Sequence, residues 1–252
     1  MAPRRAGAPG GVEPRLYAGP SGGGVAPGAG EPTVARPGTG EPTAGELRID
    51  RSGVSVGDTC HLDIIDRWGN MISATPSGGW LHSSPAIPEL GFALGTRMQM
   101  FWLEEGLPQS LAPQRRPRST LTPSLALKEG EPYMAFGTPG GDQQEQWTLL
   151  LFLHHVHHGM NLQEAIDCPA FHTEHMPSSF WPRASKPGLV ALESRFPPAT
   201  IAALRRRGHK LQLGEDWSEG RLTACAAEKT PEGTVLKAGA NPRGMQGYAV
   251  GR

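Results

Sequence analysis

The sequence predicts an α+β fold, and three observations carry that prediction. Short runs of strand-forming residues come in pairs separated by turn signals, as in "CHLDIIDRWGNMISATP". Helical stretches stand among these pairs without strict strand–helix alternation, which argues against a doubly wound parallel sheet. The first 46 residues contain roughly 20 Gly or Pro and almost no large apolar side chain, so they differ in kind from the remainder of the chain. At 252 residues the chain has room for one large domain or two small ones.

Residues 1–46 cannot bury a core and read as disordered chain. The tetrapeptide GEPT occurs twice within them, a linker-like repetition rather than a solenoid repeat. A single folded domain is expected over residues 47–252. Its first strand contains Leu62 and Ile64 on one face and reads as ready to be buried. "DRWGN" is a turn in which Gly69 supplies a positive φ, and "MISATP" returns as the second strand. Two more strands flank the turn signal "KEGEP" and lead to the glycine pair of "GTPGG". "DQQEQWTLLLFLHHVHHGM" predicts a long helix closed by Gly159, and "NLQEAIDCP" a short one stopped before Pro169. A third helix in "PPATIAALRRRGHKL" has proline in its first turn and ends at Gly208. "RLTACAAEK" and "GTVLKAGAN" supply the last two strands.

Charge narrows the partners. Lys plus Arg number 24 and Asp plus Glu number 24, so no net field draws the chain to nucleic acid or to a membrane surface. Cys60, Cys168 and Cys225 form no CxxC pair and no regular spacing, which speaks against a disulfide framework and suits a reducing compartment. The basic N-terminus "MAPRRAGAPGG" is succeeded by Gly and Pro rather than an apolar h-region, and no stretch approaches a membrane span. A soluble, cytoplasmic protein is expected.

Four places could carry chemistry. Thr59 is either an ordinary hydroxyl at a strand start or, after a cut at Asp58–Thr59, a nucleophile whose own α-amine is its base. A free α-amine titrates at about 7.7 to 8.0 and can take the hydroxyl proton near neutral pH. Gly140 and Gly141 make either a plain turn or a pair of N–H donors for a developing oxyanion. His154, His157 and His158 could share a helix face and hold a metal, or could simply be imidazoles favoured at a helix C-terminus. The run "QRRPRS" is either a solvated loop or an anion site built from Arg115, Arg116 or Arg118.

Taken in order, "GDTCHLDIIDRWGNMISAT", "RRPRSTLTPSLALKEGEPYMAFGTPGG" and "HHGMNLQEAIDCPAFHTE" resemble the small, C-terminal subunit of the γ-glutamyltransferase family of N-terminal nucleophile (Ntn) hydrolases. The resemblance runs from about Asp58 to the C-terminus. It implies the C-terminal half of an αββα four-layer sandwich and a precursor that cuts itself between Asp58 and Thr59. It also implies an N-terminal-threonine amidohydrolase or acyltransferase that acts on γ-glutamyl or related carboxylate-bearing amides, glutathione included. Carried over residue by residue, Thr59 is the nucleophile, Ser77 a supporting hydroxyl, and Gly140 and Gly141 the oxyanion pair. Ser119 and Thr120 replace the family's serine pair at the substrate carboxylate. No metal and no organic cofactor are implied, because nucleophile, base and oxyanion donors all come from the protein.

The departures bear on substrate. Where the family has Asn-Asn-Gln-Met-Asp-Asp-Phe, with an acidic residue for the substrate's α-ammonium, this sequence reads "GTRMQMF", with Arg97, Gln99 and Met100. A cation there repels an ammonium and attracts a carboxylate. Gly79 stands where the family has an asparagine. These changes resemble the divergent branch that includes amide hydrolases and acylases. The family sandwich is built from two subunits, so the resemblance implies a large-subunit-like partner chain beside the small-molecule substrate. The alternative is a non-catalytic or partner-dependent small-subunit fragment.

Overall fold

The computed structural model describes residues 48–49, 55–56, 59–77, 86–93, 95, 97–180, 183–241 and 247–251. The Gly/Pro-rich lead-in, Gly57, Asp58 and Gly79 lie outside these residues. Two-residue strands β1 (Arg48–Ile49) and β2 (Ser55–Val56) pair with each other. The hairpin β3 (Leu62–Ile65) and β4 (Met71–Ala74) comes next, and then the short pair β5 (Ala86–Ile87) and β6 (Phe92–Ala93). The central hairpin is β7 (Ser124–Lys128) and β8 (Glu131–Gly137), after which come α1 (Gln144–Val156) and α2 (Leu162–Asp167). Strands β9 (Phe171–Thr173) and β10 (Leu189–Leu192) precede α3 (Pro198–Arg206) and β11 (Lys210–Leu213). The chain closes with β12 (Thr223–Thr230) and β13 (Gly233–Ala240).

The main sheet has the order β13-β12-β8-β7 and is antiparallel throughout. Its β7–β8 turn places Glu129 and Gly130 both at positive φ (56° and 84°), the geometry that matches the twist of a two-residue hairpin loop. Strand alternation then divides the sheet's faces. Met134, Phe136, Ala224 and Ala226 point to one side, where they pack with Leu151 of α1 and Leu162, Ala165 and Ile166 of α2. Each large apolar side chain among them contributes roughly 1.5–3 kcal/mol on burial. Gly239 lets α2 lie close on β13, because a Cβ there would sit 2.9 Å from Ile166 Cδ1. Helix α2 is held at its start by a reciprocal capping box between Asn161 and Glu164.

The opposite face, with Gly137, Thr223 and Cys225, carries the β3–β4 hairpin. Helices, sheet and hairpin therefore form successive layers. The hairpin turn is locked by Asp66, whose carboxylate accepts from the backbone N–H of Trp68 and of Asn70 and from the Asn70 side-chain amide. The Asn70 side-chain bond is the main reason that the Asp66 pKa lies below its ordinary value. A depressed carboxylate stabilises the turn above its unfolded pKa, and that contribution is lost as pH falls through the folded value.

Three features differ from the sequence-based expectation. Leu62 and Ile64 do share a strand face, but they are 43% and 53% exposed, and Ile72 opposite is 55% exposed. The inward face is the polar one. Helix α1 starts only at Gln144, after a 3-10 turn over Gly141–Gln143, and ends at Val156, so His157 and His158 fall beyond it. The sheet β11-β10-β9 has no counterpart in the sequence pattern. Its strands are three or four residues long, too short for periodicity to register, and β10 pairs in parallel with β11 only because α3 crosses over between them.

Candidate active site

The residues leading into β3 alternate inward and outward. Asp63 pairs with Ser73 across the hairpin, and the same register extended backwards sets His61 opposite Thr75 and Thr59 opposite Ser77. The backbone obeys it, with Cys60 N–H donating to Pro76 O at 3.1 Å. Each of these two inward pairs is bonded. Thr59 Oγ1 and Ser77 Oγ are 2.7 Å apart, and His61 Nδ1 and Thr75 Oγ1 are also 2.7 Å apart. His61 Nε2 lies 3.0 Å from both Asp63 oxygens, with the two side chains 0% and 1% exposed. Thr223 on β12 donates its hydroxyl to Asp63 Oδ2 at 2.6 Å. The imidazole rests on Gly137, where a Cβ would come within 2.4 Å of its Cε1.

Gly140 and Gly141 stand just past Gly137, at the end of β8 on which His61 lies. Their φ angles are 125° and 40°, and the first is closed to ordinary side chains. The Trp147 ring covers Gly140 so tightly that a Cβ would be 2.6 Å from a ring carbon. Trp147 itself meets His172 edge-on at 5.6 Å and passes over Gly220. The loop is fixed on its other side by Asp142, which accepts from Ser179 N–H at 2.8 Å and Ser178 Oγ at 3.1 Å. Beneath it, buried Thr138 donates to Pro139 O and accepts from Arg221 N–H.

Arg97 opens a 3-10 turn that ends in the buried Met100. Arg183 braces this segment by donating to Phe101 O at 2.7 Å and lying 4.3 Å over the Trp102 ring. Ser119 is exposed and its Oγ accepts from Leu121 N–H, while Thr120 is buried. The structure thus puts Thr59 against Ser77 and the glycine pair at the same end of the sheet. Ser119's described bond is local. Arg115 donates to Pro108 O from an exposed position. Among the described residues no group of three His, Cys, Asp or Glu side chains could hold a metal. Of the three histidines, His154 and His158 lie with ring centroids 5.9 Å apart, and the neighbouring His155 is tied to Met160 O and stacked on Tyr133.

Sequence reasoning missed His61, Asp63, Thr75 and Thr223. A signal existed: Thr59, His61 and Asp63 recur at every second position, a polar face hidden by reading the intervening Leu62 and Ile64 as the buried one. Asp63 also contributes, after burial, to raising the neighbouring Cys225 thiol to about 11. At pH 8 that leaves roughly a hundredfold less thiolate than an ordinary cysteine has. Iodoacetamide labelling with peptide mass mapping is expected to modify exposed Cys60 in the native chain well before Cys225.

Helices over a sheet, a second β layer on its far face, and a hydroxyl at the head of the inner hairpin define half of an Ntn-hydrolase sandwich. The chain belongs to the gamma-glutamyltranspeptidase family, whose model matches residues 42–251. The solved structure of LmbA2991HD is 62% identical with a TM-score of 0.69, covering 78% of this chain and 34% of that one. A Helicobacter pylori gamma-glutamyltranspeptidase shares the fold at 24% identity and a TM-score of 0.58, covering 73% of this chain and 98% of that one. The oxamate amidohydrolase proenzyme of Klebsiella pneumoniae is 32% identical over 200 residues, which are 79% of this chain and 36% of that protein. The chain spans between 23% and 38% of the length of the curated relatives it matches. No described helix is long and apolar enough to cross a membrane.

Proposed function

We propose that this chain is the catalytic part of an N-terminal-threonine amidohydrolase or acyltransferase, with Thr59 as nucleophile. The observation that carries the reading is the Thr59 Oγ1–Ser77 Oγ contact of 2.7 Å at the head of a buried polar strand face. In self-cleavage, Thr59 Oγ1 attacks the Asp58 carbonyl, the C–N bond breaks as an ester forms, and water hydrolyses that ester. This leaves an Asp58 carboxylate and a free Thr59 α-amine. In turnover the α-amine takes the hydroxyl proton, Oγ1 attacks the substrate amide, and the proton passes to the departing amine. Water or an acceptor amine then releases the acyl group. Gly140 and Gly141 donate N–H groups to the oxyanion, Ser77 orients Oγ1, and Ser119, Thr120 and Arg97 hold the substrate carboxylate.

Partner and substrate come from the same reading. The hairpin's outer face exposes Leu62, Ile64 and Ile72, and β7 exposes Leu125 and Leu127. Apolar surface of this kind is what a large-subunit-like chain would cover to complete the sandwich. Arg97 favours acyl groups that bear a carboxylate without a nearby ammonium. Oxamate, which the Klebsiella relative is named for, is an amide of that type.

The test is intact mass over days, with turnover of matched glutaryl and γ-glutamyl anilides, for the chain alone and co-produced with a family large subunit. Expected products are residues 1–58 and 59–252, with glutaryl preferred by about 10- to 100-fold in kcat/KM. An uncut, inactive chain in both settings would favour the non-catalytic alternative. A γ-glutamyl preference would return the ammonium site to an acidic residue and remove Arg97 from its role.

A further inference from the structure

We infer that His61 and Asp63 act as the positioning pair of the Thr59 strand, holding its hydroxyl against Ser77 once the strand has become a chain terminus. The inference rests on Thr59 being the nucleophile. A new N-terminus frays unless something ties it down, and fraying here would carry the reacting oxygen away from its donors. Beyond the Thr59–Ser77 contact and the Cys60 N–H bond to Pro76 O, the strand's first fully buried side-chain anchor is the imidazole of His61, two residues on. It is enclosed on three sides: by Asp63 along its own strand, Thr75 beside β4, and the Gly137 backbone from β8. Thr223 from β12 and the Cys225 thiol, which donates to Asp63 O at 3.3 Å, join the next layer to the same residue.

The protons are placed by the partners. As a carboxylate Asp63 only accepts, so His61 Nε2 carries the proton and points it at Asp63, and Thr223 supplies a second donor. Nδ1 is paired with the Thr75 hydroxyl at 2.7 Å. Both ring nitrogens and the carboxylate are thereby satisfied, which makes the set a rigid anchor rather than a buried cost. Neither His61 nor Asp63 is given contact with the reacting atoms. Their effect reaches the substrate through Thr59.

The test compares Asp63→Asn, His61→Gln, Thr75→Val and Thr75→Ser in the chain with its large-subunit partner. The readouts are self-cleavage rate, kcat and KM on the glutaryl anilide, and the Thr59–Ser77 contact in crystal structures of wild type and Asp63→Asn. Expected are losses of about 10- to 100-fold in cleavage rate and kcat with KM little changed, recovered in Thr75→Ser but not in the isosteric Thr75→Val. Folded variants that cleave and turn over at wild-type rates, or that change only KM, overturn the inference. If wild type neither cleaves nor turns over, the reading of Thr59 as nucleophile fails by itself. The crystal structures still decide the pair: an undisturbed Thr59–Ser77 contact in Asp63→Asn overturns the positioning role. Where Asp63→Asn does not fold, Thr75→Val answers the same question.

Discussion

Thr59→Ala is expected to leave the chain uncut and its amidase activity lower by about a thousandfold or more. The substitution removes the hydroxyl with its contact to Ser77, together with one methyl, and leaves the buried layer from His61 inward untouched. Its fold should therefore survive, so circular dichroism and thermal melting of the variant should match wild type. In the proposed mechanism two steps fail together because one atom serves both, first as attacker of the Asp58 carbonyl and then as attacker of the substrate. Thr59→Ser keeps that oxygen and should keep both steps at reduced rate. Appearance of the 59–252 product at equal rate in Thr59→Ala would identify a contaminating protease as the cutter.

Gly140→Ala is expected to cost the second-largest share, about 100- to 1,000-fold in kcat, the range for loss of an oxyanion donor. Two independent obstacles meet at this residue. Its φ of 125° is strained for any L side chain, and the new Cβ would fall 2.6 Å from the Trp147 ring. That ring cannot simply swing away, because it packs edge-on against His172 and over Gly220. The loop must move instead, and with it the N–H groups of Gly140 and Gly141. Gly130→Ala is the control, since it also has positive φ but nothing within 4 Å of the added carbon. It should lower stability modestly and leave kcat alone. Trimming the ring in Gly140→Ala/Trp147→Leu relieves the collision but not the backbone strain, so partial recovery would apportion the loss between them. Unchanged kcat in Gly140→Ala would remove the glycine pair from the proposed mechanism.

Much of the architecture is legible in the residues alone. The turns at Gly69 and Gly130, the short helix at Asn161, the proline start of α3 and the paired strands β7–β8 and β12–β13 are local decisions. Each depends on φ restrictions or on a hydrogen bond spanning a few residues, so the sequence states it directly. Thr59, Ser77 and the glycine pair are visible as motifs, and the structure brings Thr59 and Ser77 together at 2.7 Å.

The elements with local causes, and Thr59 as a candidate nucleophile, can thus be read from the residues alone. Which side of the Thr59 strand faces inward was decided only in three dimensions. By hydropathy Leu62 and Ile64 belong in a core, yet His61 and Asp63 take the buried side because Thr75, Thr223 and the bare backbone of Gly137 supply partners and space there. Those partners come from three other stretches of chain, so the polar alternation of Thr59, His61 and Asp63 does not by itself say that it is the buried side. The sheet β11-β10-β9 was hidden for a related reason, since its strands are too short to be read singly and gain stability only from pairing across a helix. Long-range hydrogen bonding, rather than apolar pattern, set both outcomes.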